Sequence, residues 1–217
     1  MAQLKTFSGD VKKEVLLKEI KKHRLADEIV QGTYGKKQGD KFLACGVGCS
    51  IHSINAIRGK RYQTSNHKVY ETELGIPEWL ARLEDTIFEG LPEDKAKLWP
   101  EQFIKAIPEG INLEPVKWKF CAYLMKENID RVLKLDISDE LKEQVVGAIR
   151  QVLAVHETAV KTGQWNESAA WSAAWSAARS AESAAWSAAE SAAWSAAWSA
   201  ANTKYSKKLL QLLRTAK

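Results

Sequence analysis

The stretch ACGVGCSIHSIN sets Cys45, Cys49 and His52 four and three residues apart, and His67 follows in SNHKVYE. Thiolate sulfur and imidazole nitrogen are donors that zinc takes readily. On a helix Cys45, Cys49 and His52 would share a face. An i, i+4 pair can hold one ion between them, with His67 a better third donor than His52. Cys45, Cys49, His52 and His67 are therefore a candidate metal site, and zinc is the ion that fits. Two other chemistries use the same residues. A Cys–His pair can serve as nucleophile and base, with Glu71 or Glu73 as a further acid or base. Alternatively, Cys45 and Cys49 are small buried hydrophobes, Gly46 and Gly48 allow close helix packing, and His52 is a half-buried imidazole.

A second chemistry lies in the charge. Net charge is +5 over 217 residues. It is unevenly spread: residues 1–70 carry +8, residues 71–167 carry −7 and residues 168–217 carry +4. Lys36, Lys37, Lys41, Arg58, Lys60 and Arg61 cluster in the basic third, beside Tyr34 and Tyr62. A Gly-rich turn at a helix start, among such cations, can cradle an anion, and a tyrosine ring can stack on a base. Neither the phosphate-loop nor the dinucleotide-binding pattern is present. The bland alternative is solvated helix faces and attraction between oppositely charged parts of the chain.

The elements that must position these residues read as helices. Asp10 is placed to cap a helix reaching Arg24, with Val11, Val15, Leu16 and Ile20 on one face. LADEIVQ suggests a second, short helix, and GTYGKKQGDK a basic loop. Pro77 suits the first turn of a helix with Leu80, Leu83 and Ile87 as its buried stripe, stopped by Gly90 and Pro92. WPEQFIKAIPEG is a short helix between Pro100 and Pro108. Longer helices start at Pro115 and at Ser138 or Asp139, the last ending at Gly163. Strictly alternating β-branched runs are absent. The expected fold is all-α: a compact helical domain over residues 1–163, then a Ser/Ala/Trp-rich helical segment over residues 164–217.

That second segment is built of four-residue units from Glu167 to Asn202. Alanine is the best helix former and neither Gly nor Pro interrupts the run, so a continuous helix of about 50 Å is expected. Each unit advances about 40° beyond a full turn, and the three-residue unit Ser180–Glu182 subtracts from that drift. Trp171, Trp175 and Trp186 then share a face, while Trp194 and Trp198 wind away from it. Five such rings would form a large apolar patch and must pack on something. The occupants considered are the chain's own domain, a second copy giving a homo-oligomer, and a ligand stacked on the rings. Tyr205, Leu209, Leu212 and Leu213 form an ordinary amphipathic face after the repeat.

Other classes are disfavoured. Three cysteines, with no secretory pattern in MAQLKTFSGDVKK, suggest a reducing, cytoplasmic setting rather than a disulfide framework. No run of about 18 apolar residues is present, so no membrane span is expected. No sequence-specific DNA-binding motif stands out, and the region nearest to a helix-turn-helix is acidic.

The separated motifs ADEIVQGTYG, CGVGCSIHS, ELGIPEWLARLEDTIFEGLP and WPEQFIKAIPEG occur in order. In these motifs the chain resembles a family of uncharacterised bacterial and bacteriophage proteins, over roughly residues 20–135. Such proteins often end in an alanine-rich segment. The resemblance implies a phage or mobile-element origin. It sets Cys45, Cys49, His52 and His67 inside the family signature without giving them a role. Three function classes follow. The first is a non-enzymatic cytosolic binding protein, in the manner of a phage counter-defence factor. It would sequester a small anionic, nucleotide-like ligand through Tyr34 and the six cations, or block a host protein. The second is a zinc- or thiol-dependent hydrolase at the Cys/His site. The third is an assembly protein using the Trp/Ala helix.

Overall fold

A computed structural model describes residues 4–168 and 192–217, the latter as backbone alone for 192–197. The all-α class holds: the chain is 65% helical, with nine helices and one two-stranded sheet among the described residues. In order these are α1 (Lys13–Leu25), β1 (Lys36–Gln38), β2 (Lys41–Leu43), α2 (Gly46–Arg58), α3 (Lys68–Leu74), α4 (Glu78–Gly90), α5 (Glu93–Ala96), α6 (Trp99–Ala106), α7 (Glu114–Val132), α8 (Asp139–Thr162) and α9 (Ala192–Arg214). Among the described residues, no helix is long and apolar enough to cross a membrane.

The chain forms two compact units. One joins residues 1–114 to residues 195–217, and the other is residues 115–194. The sequence suggested a division at Gly163. In the structure Gly163 is the left-handed cap of α8, its N–H bonded to the Ala159 carbonyl. Ser138 supplies the other cap, its hydroxyl accepting from the Leu141 N–H at 3.3 Å.

Helix α2 is the centre of the first unit. It packs on α1, α3, α4 and α6, and residues 46–51, 53 and 54 are all buried. This burial fits its sequence, which has small or apolar residues at nearly every position of its first two turns, while His52 and Ala56 stay exposed. Gly59, at φ +61°, ends it with an N–H bonded to the Asn55 carbonyl. Around it lie Leu16 and Ile20 of α1, Leu80 and Phe88 of α4, and Trp99 and Phe103 of α6, all buried. Each such side chain contributes about 1.5–3 kcal/mol.

Several sequence expectations are corrected. Asp10 does not cap α1: the helix starts after Lys12, and Asp10 instead pairs with Arg58. Val15 lies on the exposed side of α1 at 43%. LADEIVQ is not a helix. Asp27 takes a positive φ of 56°, and the chain after it bridges Ala44 through Val30 N–H to Ala44 O and Ala44 N–H to Glu28 O. That pairing with a distant segment satisfies the same backbone groups a helix would. GTYGKKQGDK is partly a hairpin: Lys36 pairs with Leu43 and Gln38 with Lys41, around Gly39 at φ +61°.

The C-terminal helix closes the first unit. Leu209, Leu210 and Leu213 are buried, and so is Asn202. Asn202 lies against Gly90, the last residue of α4, where an added Cβ would overlap its carboxamide and come within 2.8 Å of Trp198 Nε1. Trp198 is otherwise 46% exposed. Trp171, Trp175 and Trp186 lie outside the described residues, and Trp194 is described in backbone only, as the start of α9. The expectation of one continuous helix across the repeat therefore lies largely outside the described residues. Gly90→Ala should unseat α9 at a cost of about 1–3 kcal/mol. The urea midpoint and the proteolytic susceptibility of the C-terminal segment would register this. An unchanged midpoint would mean the contact contributes nothing.

Candidate functional site

Cys45 ends the extended bridge segment and serves as the N-cap of α2, its sulfur accepting from the Gly48 N–H at 3.4 Å. Its own N–H bonds to the Thr33 carbonyl. Cys45 is 1% exposed. Burial pushes its thiol well above the ordinary range, and nearby Asp85 adds to this.

Asp85 comes from the middle of α4. Its Oδ2 accepts from the Tyr34 hydroxyl at 2.6 Å and from His67 Nε2 at 3.0 Å. Burial alone would raise this carboxyl, but the hydrogen bonds from His67 and Tyr34 outweigh it and hold it below the usual range. Ionised, it can only accept, so His67 Nε2 carries the hydrogen. The Tyr34 ring meets the His67 ring edge-on at 5.7 Å. The bond to Asp85, followed by burial, pushes the Tyr34 phenol up. Among the described residues, Oδ1 of Asp85 is buried with no hydrogen-bond partner, and the Cys45 thiol also bears on this carboxylate.

Two more carboxylates flank Asp85 on α4. Glu84 is 0% exposed, and neither of its oxygens has a hydrogen-bond partner. Its Oε1 stands beside Gly46, the residue after Cys45. Burial, then Asp85, pushes its carboxyl well up. Glu89, one turn on and exposed, accepts from the Gly32 N–H at 2.9 Å. Ser50 Oγ and the Tyr70 hydroxyl are likewise buried and bear on one another, and Glu84 and Cys45 are both electrostatic neighbours of Tyr70.

One loop lies over these groups. Gln31 Nε2 reaches the closing carbonyls of α4, at 2.8 Å from Phe88 O and 2.9 Å from Leu91 O. Gly32 holds Glu89, Thr33 holds the Cys45 backbone, and Tyr34 holds Asp85. Gly48 makes the close approach possible, since a Cβ there would overlap the Tyr34 carbonyl. Tyr34 is 41% exposed and so forms the outer wall.

The expected metal quartet is not brought together. Among the described residues, the donors within 4.8 Å of one another are Cys45, Asp85 and Glu89. Cys49 points instead to backbone, its thiol 3.5 Å from Ala44 O, and burial raises it to about 12. His52 stacks on Phe42 at 4.1 Å and meets His23 edge-on at 5.4 Å. Residues 49 and 52 turn away because the Cys45 N-cap lies at the end of α2 facing α4, while the next turn faces α1 and the bridge. Of the four, Cys45 and His67 reach the same carboxylate region, His67 as a support of Asp85. Glu71 and Glu73 are occupied elsewhere: Glu71 accepts from the Glu78 N–H, and Glu73 from Arg58 Nε and the Tyr62 hydroxyl.

The six cations do not converge on the site either. Lys36 and Lys37 sit on β1, and Lys60 and Arg61 follow α2. Arg58 is held by Asp10 and Glu73, and Lys41 Nζ by the Ala26 carbonyl. A second polar cluster, His23 with Glu28 at 2.6 Å and with Ser53 at 3.1 Å, is internally satisfied at both ring nitrogens. The Cys45 region differs in having buried polar atoms left over. Such groups cost about 1–3 kcal/mol each and call for a functional explanation.

Glu84, Asp85 and Glu89 were missed by the sequence reading. The signal was present: Glu84 lies four residues after Leu80 and three before Ile87, inside the apolar stripe rather than opposite it. No protein-family model, curated protein or solved structure matches the chain.

Proposed function

We propose that the chain is an enzyme of the hydrolase class whose centre is Cys45, Asp85 and His67, with Tyr34 and Glu84 beside them. The observation that carries this reading is the set of buried, unpartnered polar atoms around Cys45: both Glu84 oxygens and Asp85 Oδ1. Groups held in this way at a stability cost are characteristic of sites that do chemistry. The supports also follow the pattern of a working centre. His67 and Tyr34 fix one Asp85 oxygen and leave the other available.

The carboxylates bear on the substrate. Among the described residues Asp85, Glu84 and Glu89 have no Lys or Arg bonded to them, so an uncharged ester or amide carbonyl suits this region better than a phosphate. The same feature weighs against an anion-sequestering role here, since Tyr34 has its hydroxyl on Asp85 and Arg58 is bound by two carboxylates. A panel of neutral chromogenic esters and amides, with phosphoesters as the contrast, tests the reading. Asp85→Asn and Cys45→Ala should each lower kcat/KM about 100-fold or more with circular dichroism unchanged. Wild-type protein inert to the whole panel, or variants as fast as wild type, would overturn it.

A further inference from the structure

We infer that Cys45, Asp85 and Glu89 form a three-donor site for a borderline-soft divalent cation of the zinc class. The inference rests on the reading of this region as a catalytic centre and names what completes it. The Cys45 sulfur and one oxygen each of Asp85 and Glu89 lie within 4.8 Å of one another. Three points so spaced have a common centre no more than about 2.8 Å from each. Zinc–sulfur and zinc–oxygen bonds are about 2.3 Å and 2.0–2.2 Å, so tetrahedral donors stand about 3.5 Å apart and these three need close by no more than roughly 1.3 Å to make the site.

Two buried, unpartnered groups mark this position. The first is Asp85 Oδ1, buried and without a partner while Oδ2 is held by Tyr34 and His67. A carboxylate with one oxygen fixed and the other free is how a coordinating aspartate is oriented. The second is Glu84, wholly buried and unpartnered among the described residues, its Oε1 next to Gly46, the residue after Cys45. Among the described residues neither Asp85 nor Glu89 is bonded to a Lys or Arg, and a dication would balance their charge.

The donor types choose the ion. A sulfur donor disfavours magnesium and calcium, while a mixed sulfur and oxygen set suits zinc or cobalt. Three protein donors leave the fourth tetrahedral position open, which is the arrangement of catalytic rather than closed structural zinc. As the sulfur–metal bond forms, the thiol proton leaves to solvent. Tyr34 and Glu89 lie on the exposed side, and give the ion its route in.

The test uses the full chain, stripped with chelator and titrated with Co²⁺ alone in the absence of oxygen, then with Zn²⁺ in competition. One equivalent of Co²⁺ should give a thiolate-to-cobalt charge-transfer band, and Zn²⁺ should bleach it. Cys45→Ser should abolish the band. Glu89→Gln, at an exposed position, should weaken binding about tenfold or more with the fold retained, and His67→Ala should weaken it about 10–100-fold. Cys49→Ser should leave the band intact. No band and no zinc binding by the wild-type chain would overturn the site, as would equal binding by Cys45→Ser and Glu89→Gln. Metal binding is read without substrate. A chain that binds cobalt but turns over nothing keeps the site and loses the hydrolase. A chain with Asp85-dependent turnover and no metal keeps the hydrolase and loses the site.

Discussion

Replacing Glu84 with methionine should make the protein more stable, by about 1–3 kcal/mol, while removing its turnover. Glu84 is wholly enclosed, and both its oxygens lack partners. Burial, then Asp85, keeps its carboxyl protonated to well above the usual carboxylate range. The native state therefore carries an unsatisfied group that water would solvate in the unfolded chain. Methionine has the same unbranched reach, fills irregular space and asks for no hydrogen bond. The backbone is not disturbed, since the Trp99 indole bonds to the Glu84 carbonyl rather than to its side chain. Thermal unfolding followed by tryptophan fluorescence would measure the gain, at about 2–4 °C of Tm for each kcal/mol. Stabilisation with loss of turnover is what a residue kept for function gives. A destabilised variant would mean that the carboxyl has a partner that holds it.

Gly48→Ala should do the opposite, costing about 3 kcal/mol. The added methyl would overlap the Tyr34 carbonyl and stand 2.8 Å from Ala44 Cβ. Neither is the end of a flexible side chain. Either α2 or the 31–35 loop must move, and moving the loop breaks the Tyr34 bond to Asp85. A lowered urea midpoint and loss of turnover are both expected. Gly147→Ala is the matched contrast. Gly147 lies inside α8, and a Cβ there meets nothing within 4 Å. That substitution should stabilise by about 0.5–1 kcal/mol through helix propensity alone. If the two variants shifted the midpoint in the same direction, the steric account of Gly48 would fail.

The helices were legible where caps and apolar period agreed. Pro77 and Leu80 marked α4, Ser138 and Gly163 bounded α8, and the prolines at 100 and 108 framed α6. What failed was non-local. Nothing near LADEIVQ says that Ala44 will accept and donate its backbone bonds. Half the site was legible. Cys45 and His67 stand out by type, whereas Glu84 and Asp85 look like ordinary solvent-facing acids of an amphipathic helix. Only the stripe position of Glu84 argued otherwise. Tyr34 was noticed for its ring, but its hydroxyl finds Asp85 through a fold that no local spacing encodes. Cys49 and His52 were misplaced for a related reason: sharing a face with Cys45 on an ideal helix does not make them share a neighbour, since Cys49 meets the Ala44 carbonyl and His52 lies exposed against Phe42.

The seating of Asn202 on Gly90 also sets a timetable. Helix α4, which carries three of the site's acids, leaves the ribosome long before α9, with residues 115–194 made in between. At roughly 5–20 residues per second those 80 or so residues take about 4–16 s. For that interval the nascent chain holds a nearly finished centre with the far end of α4 uncovered. The first unit becomes whole only when synthesis has run through the alanine-rich repeat, so a chain stalled within that repeat would lack the contact of Asn202 with Gly90.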